Sequence, residues 1–144
     1  MLVTDILKQK GREIVSISAT QTTRSAAQML ADNNIGALVA LDPDGAPEGI
    51  LSERDIIDGI ARHGAEALDL QIGIFLTRSM VHCSPRDTLL DVARTMTQRR
   101  IRHLPVVEGS QLIGLVSIGD VLKCRISEVE LESLVLRDVA IALR

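Results

Sequence analysis

Apolar and polar residues alternate in two short stretches, "IVSIS" at 14–18 and "MVHCS" at 80–84, and each alternation predicts a strand. The period changes directly afterwards. In "TRSAAQMLADNN" Ala26, Met29 and Leu30 recur at spacings of three and four, as do Leu89, Val92, Ala93 and Met96 in "TLLDVARTMTQRR". That spacing predicts an amphipathic helix, with Thr22 and Thr88 at the N-cap. Two apolar runs follow in each case, "GALVAL" then "GIL", and "LPVV" then "LIGLV". Their connections, "DPDGAP" and "EGSQ", have turn compositions.

A further helix is predicted after each second run, opened by "GILSERD" (49–55) in one case and "GLVSIGD" (114–120) in the other. The motifs begin 65 positions apart, and the segments before them align at a shift of 66: Val15 with Val81, Ser18 with Ser84, Thr22 with Thr88, Ile35 with Ile101 and Leu38 with Leu104. The chain therefore reads as a duplicated β-α-β-β-α unit, an α+β fold in which any parallel crossover is right-handed. Units of about 60 residues bury too little surface to stand alone, so the two repeats are expected to pack as one pseudo-two-fold domain.

Along the chain this divides into a first repeat with its N-terminal segment (1–66), a second with its linker (67–125), and a C-terminal helix (126–144). The tail has no Gly or Pro. Leu131, Leu134, Val135, Leu136, Val139, Ile141, Ala142 and Leu143 cover a wide arc of it, leaving Glu130, Ser133, Arg137 and Arg144 as a narrow polar strip. So wide an arc predicts burial on more than one side, against the chain's own domain and against a partner in a two-fold homodimer.

Composition narrows the function classes. Apolar residues make up 46 % of the 144, enough for a core, and the net charge of −3 gives no general basic field for nucleic acid or anionic lipid. No apolar run reaches the roughly 18 residues of a spanning helix. The expectation is a cytoplasmic protein that engages no membrane. Phe75 is the sole aromatic, which disfavours base-stacking grips on single strands. Cys83 and Cys124 lack metal-ligand spacing, and His63, His82 and His103 include no i, i+4 pair, so no metal site is expected. In "GLVSIG" Ser117 comes three residues after Gly114, whereas a nucleophile elbow requires two, and there is no phosphate-loop motif. The chain is not read as an enzyme.

The repeated Ser-x-x-Asp has a structural reading and a functional one. Ser52 with Asp55, and Ser117 with Asp120, form a capping box. The same geometry puts a helix N-terminus at a strand end, where an anion is favoured. Asp55 or Asp120, one turn inside, offers two acceptor oxygens to a ribose diol, and Arg54 is within reach of a phosphate. The small basic clusters, "KQKGRE" and the pair Arg99 and Arg100, read as solvated surface; nucleic-acid binding through Arg99, Arg100 and Arg102 is the weakest alternative.

These motifs, with "NNIGALVALDPDGAPE" and "RRIRHLPVVEGSQ" before them and "QIGIFLTRSMVHCSPRDTLLDVARTM" across the linker, resemble the paired repeats of a CBS domain pair, the Bateman module, over residues 1 to 125. Leu76 departs from the family's usual Met, and the tail lies outside its pattern. The resemblance implies a regulatory module that binds an adenosine compound such as AMP, ATP or NAD(H), with no other cofactor, in clefts between paired repeats, and signals occupancy to a regulated protein. Carried over by position, Ser52, Asp55, Ser117 and Asp120 would hold ribose, and Arg54, Arg102 and His103 phosphate. Val15, Ile17, Gly36 and Ala37 in the first copy, and Met80, Val81, Cys83 and Leu104 in the second, would flank adenine. Gly119 replaces Arg54, and Gly36 with Ala37 replace Arg102 with His103, so the two copies are expected to differ in affinity. A structural dimerisation subunit with a vestigial site is the alternative.

Overall fold

The computed structural model describes residues 1–78 and 81–143. Helix α1 spans Val3–Lys10, strand β1 Ser16–Ser18, helix α2 Thr23–Asn33, strands β2 and β3 Ala37–Leu41 and Pro47–Ser52, and helix α3 Glu53–His63. Two short 3-10 segments, Gly64–Asp69 and Ile72–Ile74, lead to α4 (Leu89–Arg99), β4 (His103–Glu108), β5 (Gln111–Ser117) and the long α5 (Ile118–Ala142). The predicted caps are in place: Thr22 Oγ1 accepts from the Ser25 amide at 3.2 Å, and Thr88 Oγ1 from the Asp91 amide at 3.1 Å. Both helices end in the left-handed region, at Asn34 (φ 53°) and Arg100 (φ 54°), which stand 66 positions apart.

The chain forms two compact units. One holds Glu13–Val81, the other Met1–Arg12 with His82–Arg144. Units and sequence repeats do not coincide, because the segment leading into each repeat belongs to the other unit. In the first unit β1 pairs parallel with β2, and β2 antiparallel with β3. Its core gathers Ile17, Ala26, Leu30, Leu38, Ala40, Leu51, Ile56 and Ile72. Ile72 comes from the linker, whose Thr77 exchanges both backbone bonds with Ile50 of β3.

In the second unit β4 and β5 pair antiparallel, and Val3, Ile6 and Leu7 of α1 are buried beside Val106, Val116 and Val121. A helix at 3–10 has no counterpart in the reading of the sequence. Repetition of Gly49 and Gly114 now has a steric reason. A Cβ at Gly49 would lie 2.7 Å from the Thr77 carbonyl oxygen, and one at Gly114 2.7 Å from Leu7 Cδ2. In each unit the leading segment crosses the last strand where that strand has no side chain.

Two expectations need correction. Of the stretch 80–84, Met80 lies outside the described residues and 81–84 form no strand: pairing there is confined to an isolated bridge, Cys83 with Val106. In the first copy the Val39 amide donates to the Val15 carbonyl, extending the parallel pairing; position 39 maps onto Pro105, which has no N–H to donate. Helix α5 is buried on its own unit at Val121 and Cys124, before the tail; among the described residues of the tail itself only Glu128 is half-buried, and residues 129–143 are exposed. The 25 residues of α5 extend roughly 37 Å at 1.5 Å each, far beyond the 11-residue α4 and 8-residue α1 that it packs on. Arg144 lies outside the described residues.

Candidate functional site

Each repeated motif forms a complete capping box at a strand-to-helix junction. The Ser52 amide donates to Asp55 Oδ2 at 2.8 Å and the Asp55 amide to Ser52 Oγ at 3.2 Å; the Ser52 hydroxyl also meets Oδ2 at 3.0 Å. In the second unit the Ser117 amide reaches Asp120 Oδ2 at 2.9 Å and the Asp120 amide Ser117 Oγ at 3.1 Å. One carboxylate oxygen of each Asp is thus committed to the fold.

The strand starts close on these junctions as the shift of 66 predicts. Ala37 is the register partner of Ser52, and His103 of Ser117. The Glu53 amide donates to the Gly36 carbonyl at 3.0 Å, and the Ile118 amide to the Arg102 carbonyl at 2.8 Å. These bonds use the first helical amide at each site, and the box uses the third. The N-terminus of α3 is therefore a poorer anion site than its position suggests, and Glu53 in its first turn lowers it further. Arg54 and Arg102, the arginines next to these junctions, are exposed.

Of the residues expected at adenine, Val15, Gly36 and Val81 are half-buried and accessible in part. Ile17, Ala37, Cys83 and Leu104 are buried, so only backbone or a methyl edge of these is offered to a ligand. Burial, with Asp87 nearby, pushes the Cys83 thiol up to about 12.

Two side chains escaped the reading of the sequence. Thr77 Oγ1 donates to Asp55 Oδ1 at 3.3 Å, and Lys10 Nζ lies 2.6 Å from Asp120 Oδ2. Partial burial works to raise the Asp120 carboxyl, but the bond from Lys10 and those from Ser117 outweigh it and hold it below the usual carboxylate range. A signal for the segments that carry them was present. Extending the shift of 66 upstream aligns Ile6 with Ile72, both fully buried, and so places Lys10 opposite Leu76 and Gly11 opposite Thr77. The two copies are unequal in charge: a neutral hydroxyl meets Asp55 where an ammonium meets Asp120.

The first unit also carries an open apolar groove of about 470 Å³ between α2 and α3, lined by Ala27, Leu30, Ile35, Gly36, Ile56 and Ile57 among others. It shares Gly36 with the expected ligand residues. Among the described residues no helix is long and apolar enough to cross a membrane.

The profile of the CBS domain matches residues 3–62 and 71–127. Among curated proteins, the CBS domain-containing protein CBSX3, mitochondrial, of Arabidopsis thaliana is 31 % identical over 134 residues, covering 88 % of this chain; the chain spans 65 % of that relative's length. Among solved structures, the CBS-domain containing protein ATU1752 from Agrobacterium tumefaciens is 38 % identical, with a TM-score of 0.84 over 86 % of this chain and 92 % of that one. The CBS domain pair of protein MJ0100, in complex with 5-methylthioadenosine and S-adenosyl-L-methionine, is 25 % identical, with a TM-score of 0.75 over 86 % of this chain and 98 % of that one.

Proposed function

This chain belongs to the CBS domain family, with two copies of the domain, and from that premise we propose that it is a cytoplasmic homodimeric regulator that binds an adenosine ligand without transforming it. The observation that carries the reading is the repeated junction at which Asp55 and Asp120, each anchored through Oδ2 by its Ser, open a helix against the strand starts at Gly36 and Ala37 and at Arg102 and His103. MJ0100, whose domain pair holds two adenosine compounds, supports the ligand class.

The two carboxylates differ at the oxygen left for a ribose: Asp55 Oδ1 accepts from the Thr77 hydroxyl, which can turn to donate elsewhere, whereas Lys10 meets Asp120 at Oδ2, the oxygen that the Ser117 amide already holds. Arg54 reaches towards a phosphate in the first copy, Arg102 and His103 in the second. AMP, ATP and NAD(H) fit this set, as do phosphate-free adenosine compounds at Val15 and Gly36. Occupancy would favour one arrangement of the chain over another and so be sensed by a bound protein.

The test is the thermal midpoint of the full chain, freed of co-purified ligand, against AMP, ADP, ATP, NAD, NADH, S-adenosylmethionine and 5-methylthioadenosine. A ligand at 100 times its Kd adds about 2.7 kcal/mol. A rise with an adenosine compound that Asp55→Ala or Asp120→Ala abolishes supports the reading. Unchanged midpoints at millimolar ligand would favour a second reading, a structural dimerisation subunit, for which the exposure of residues 129–143 of α5 speaks.

A further inference from the structure

We infer that residues 122–143 of α5 pair with the same stretch of a second copy as a parallel, two-stranded coiled coil. The inward face of this helix is Val121 and Cys124. A different face carries the seam. Leu122, Ile126, Val129, Ser133, Leu136, Ala140 and Leu143 follow one another at alternating spacings of four and three, and the large apolar ones are 49–82 % exposed. Of the seven heptad frames that this stretch allows, every other one places a charged residue in the seam. In this frame Leu122, Val129, Leu136 and Leu143 take d, and Ile126, Ser133 and Ala140 take a. Ile126 at a, with Leu122, Leu136 and Leu143 at d, is the combination that favours two strands.

Charge fixes the partner and its direction. Position g holds Arg125 and Glu132, and position e holds Glu130 and Arg137. In a parallel coil each g residue faces the e residue five positions on in the other helix. Arg125 then meets Glu130, and Glu132 meets Arg137, each pair occurring twice by symmetry. The antiparallel overlap that sets Glu132 against Val139 keeps only Glu130 against Arg137, two ion pairs by symmetry where the parallel coil has four. Arg125 also bonds Glu128 of its own helix at 3.0 Å through one guanidinium nitrogen, which leaves its remaining donors for the second helix. Over 122–143 the carboxylates Glu128, Glu130, Glu132 and Asp138 outnumber the cations Lys123, Arg125 and Arg137, so the helix offers an anionic bilayer no net positive charge. The stretch spans roughly 33 Å, three heptads, with its first turns already held by the folded unit.

This deepens the homodimer part of the proposed function and is independent of ligand. Sedimentation velocity of the full chain should give twice the chain mass at micromolar concentration, shifting to monomer in Leu136→Asp. The outer-face change Leu134→Asp should leave the dimer intact. Glu132→Arg and Arg137→Glu should each weaken it several-fold, and the double variant should recover it. Under oxidising conditions Leu136→Cys should crosslink to itself, since a parallel seam sets equal positions side by side, while Cys83 and Cys124 are buried. A monomeric parent, a dimer broken by Leu134→Asp and not by Leu136→Asp, or a dimer of the Leu136→Cys variant that fails to crosslink overturns the inference. Loss of the midpoint rise with adenosine compounds would sink the ligand reading and leave this one standing.

Discussion

Lys10 of α1 holds Asp120 of α5 at 2.6 Å, joining the first helix of the chain to the head of the last across 110 residues. Both side chains are partly exposed, at 35 % and 24 %, so the pair contributes under about 1 kcal/mol. Its worth depends on pH. The Asp120 carboxyl titrates below its unfolded value, so the stabilisation is complete above the unfolded carboxylate range, about pH 4, and is lost as pH falls through the folded value. Lys10→Met should therefore lower the midpoint slightly at pH 7, and the gap from the parent should close in acid. A gap that widens below pH 4 would contradict the pairing.

The two motif glycines should respond differently to the same change. At Gly49 the added methyl meets the Thr77 carbonyl, part of a backbone fixed by two bonds to Ile50; at Gly114 it meets the mobile end of Leu7. Gly49→Ala is expected at the upper end of the roughly 1–3 kcal/mol of overpacking and Gly114→Ala at the lower end. Urea unfolding of the two variants measures both, and equal losses would show that the crossing segments are not what the glycines serve.

Arg100 stands in the left-handed region that Asn34 occupies at the equivalent helix end. A side chain there costs roughly 1 kcal/mol that Gly does not incur, and Asn reduces. Arg100→Gly and Arg100→Asn should each raise the midpoint by a few degrees. A fall in both would mean that the Arg100 side chain makes a contact worth more than the strain.

Both thiols should be inert in the folded protein. Cys83 is pushed to about 12 by burial, and Cys124, buried, meets the Gln9 side chain at 3.5 Å. A thiol reagent at pH 8 should label neither until denaturant is added. Because the unfolded Cys83 loses its proton near pH 8.5, about the free-thiol value, and the folded one does not, stability should decline as pH rises above that. Rapid labelling of either native thiol would show local opening of the second unit.

Much of this architecture was legible in the residues. Apolar spacing gives the helices at 23–33 and 89–99, Thr22 and Thr88 give their starts, and the repeated Ser-x-x-Asp gives both strand-to-helix junctions, because these are local properties of a few neighbouring side chains. The shift of 66 carried the duplication, and with it the family. Even the shortened pairing at Cys83 was written in Pro105, since a missing N–H needs no tertiary context.

Tertiary structure decided what lies far apart in sequence. Nothing near Asp120 announces Lys10, and nothing near Gly49 announces the Thr77 carbonyl, because each contact depends on which unit a leading segment joins. The buried or half-buried state of Ile17, Cys83 and Val15 likewise follows from packing rather than from residue type. The tail divides along the same line. Its helicity and its apolar excess are properties of the sequence, but the exposure of residues 129–143 arises only because α1 and α4 are too short to cover them.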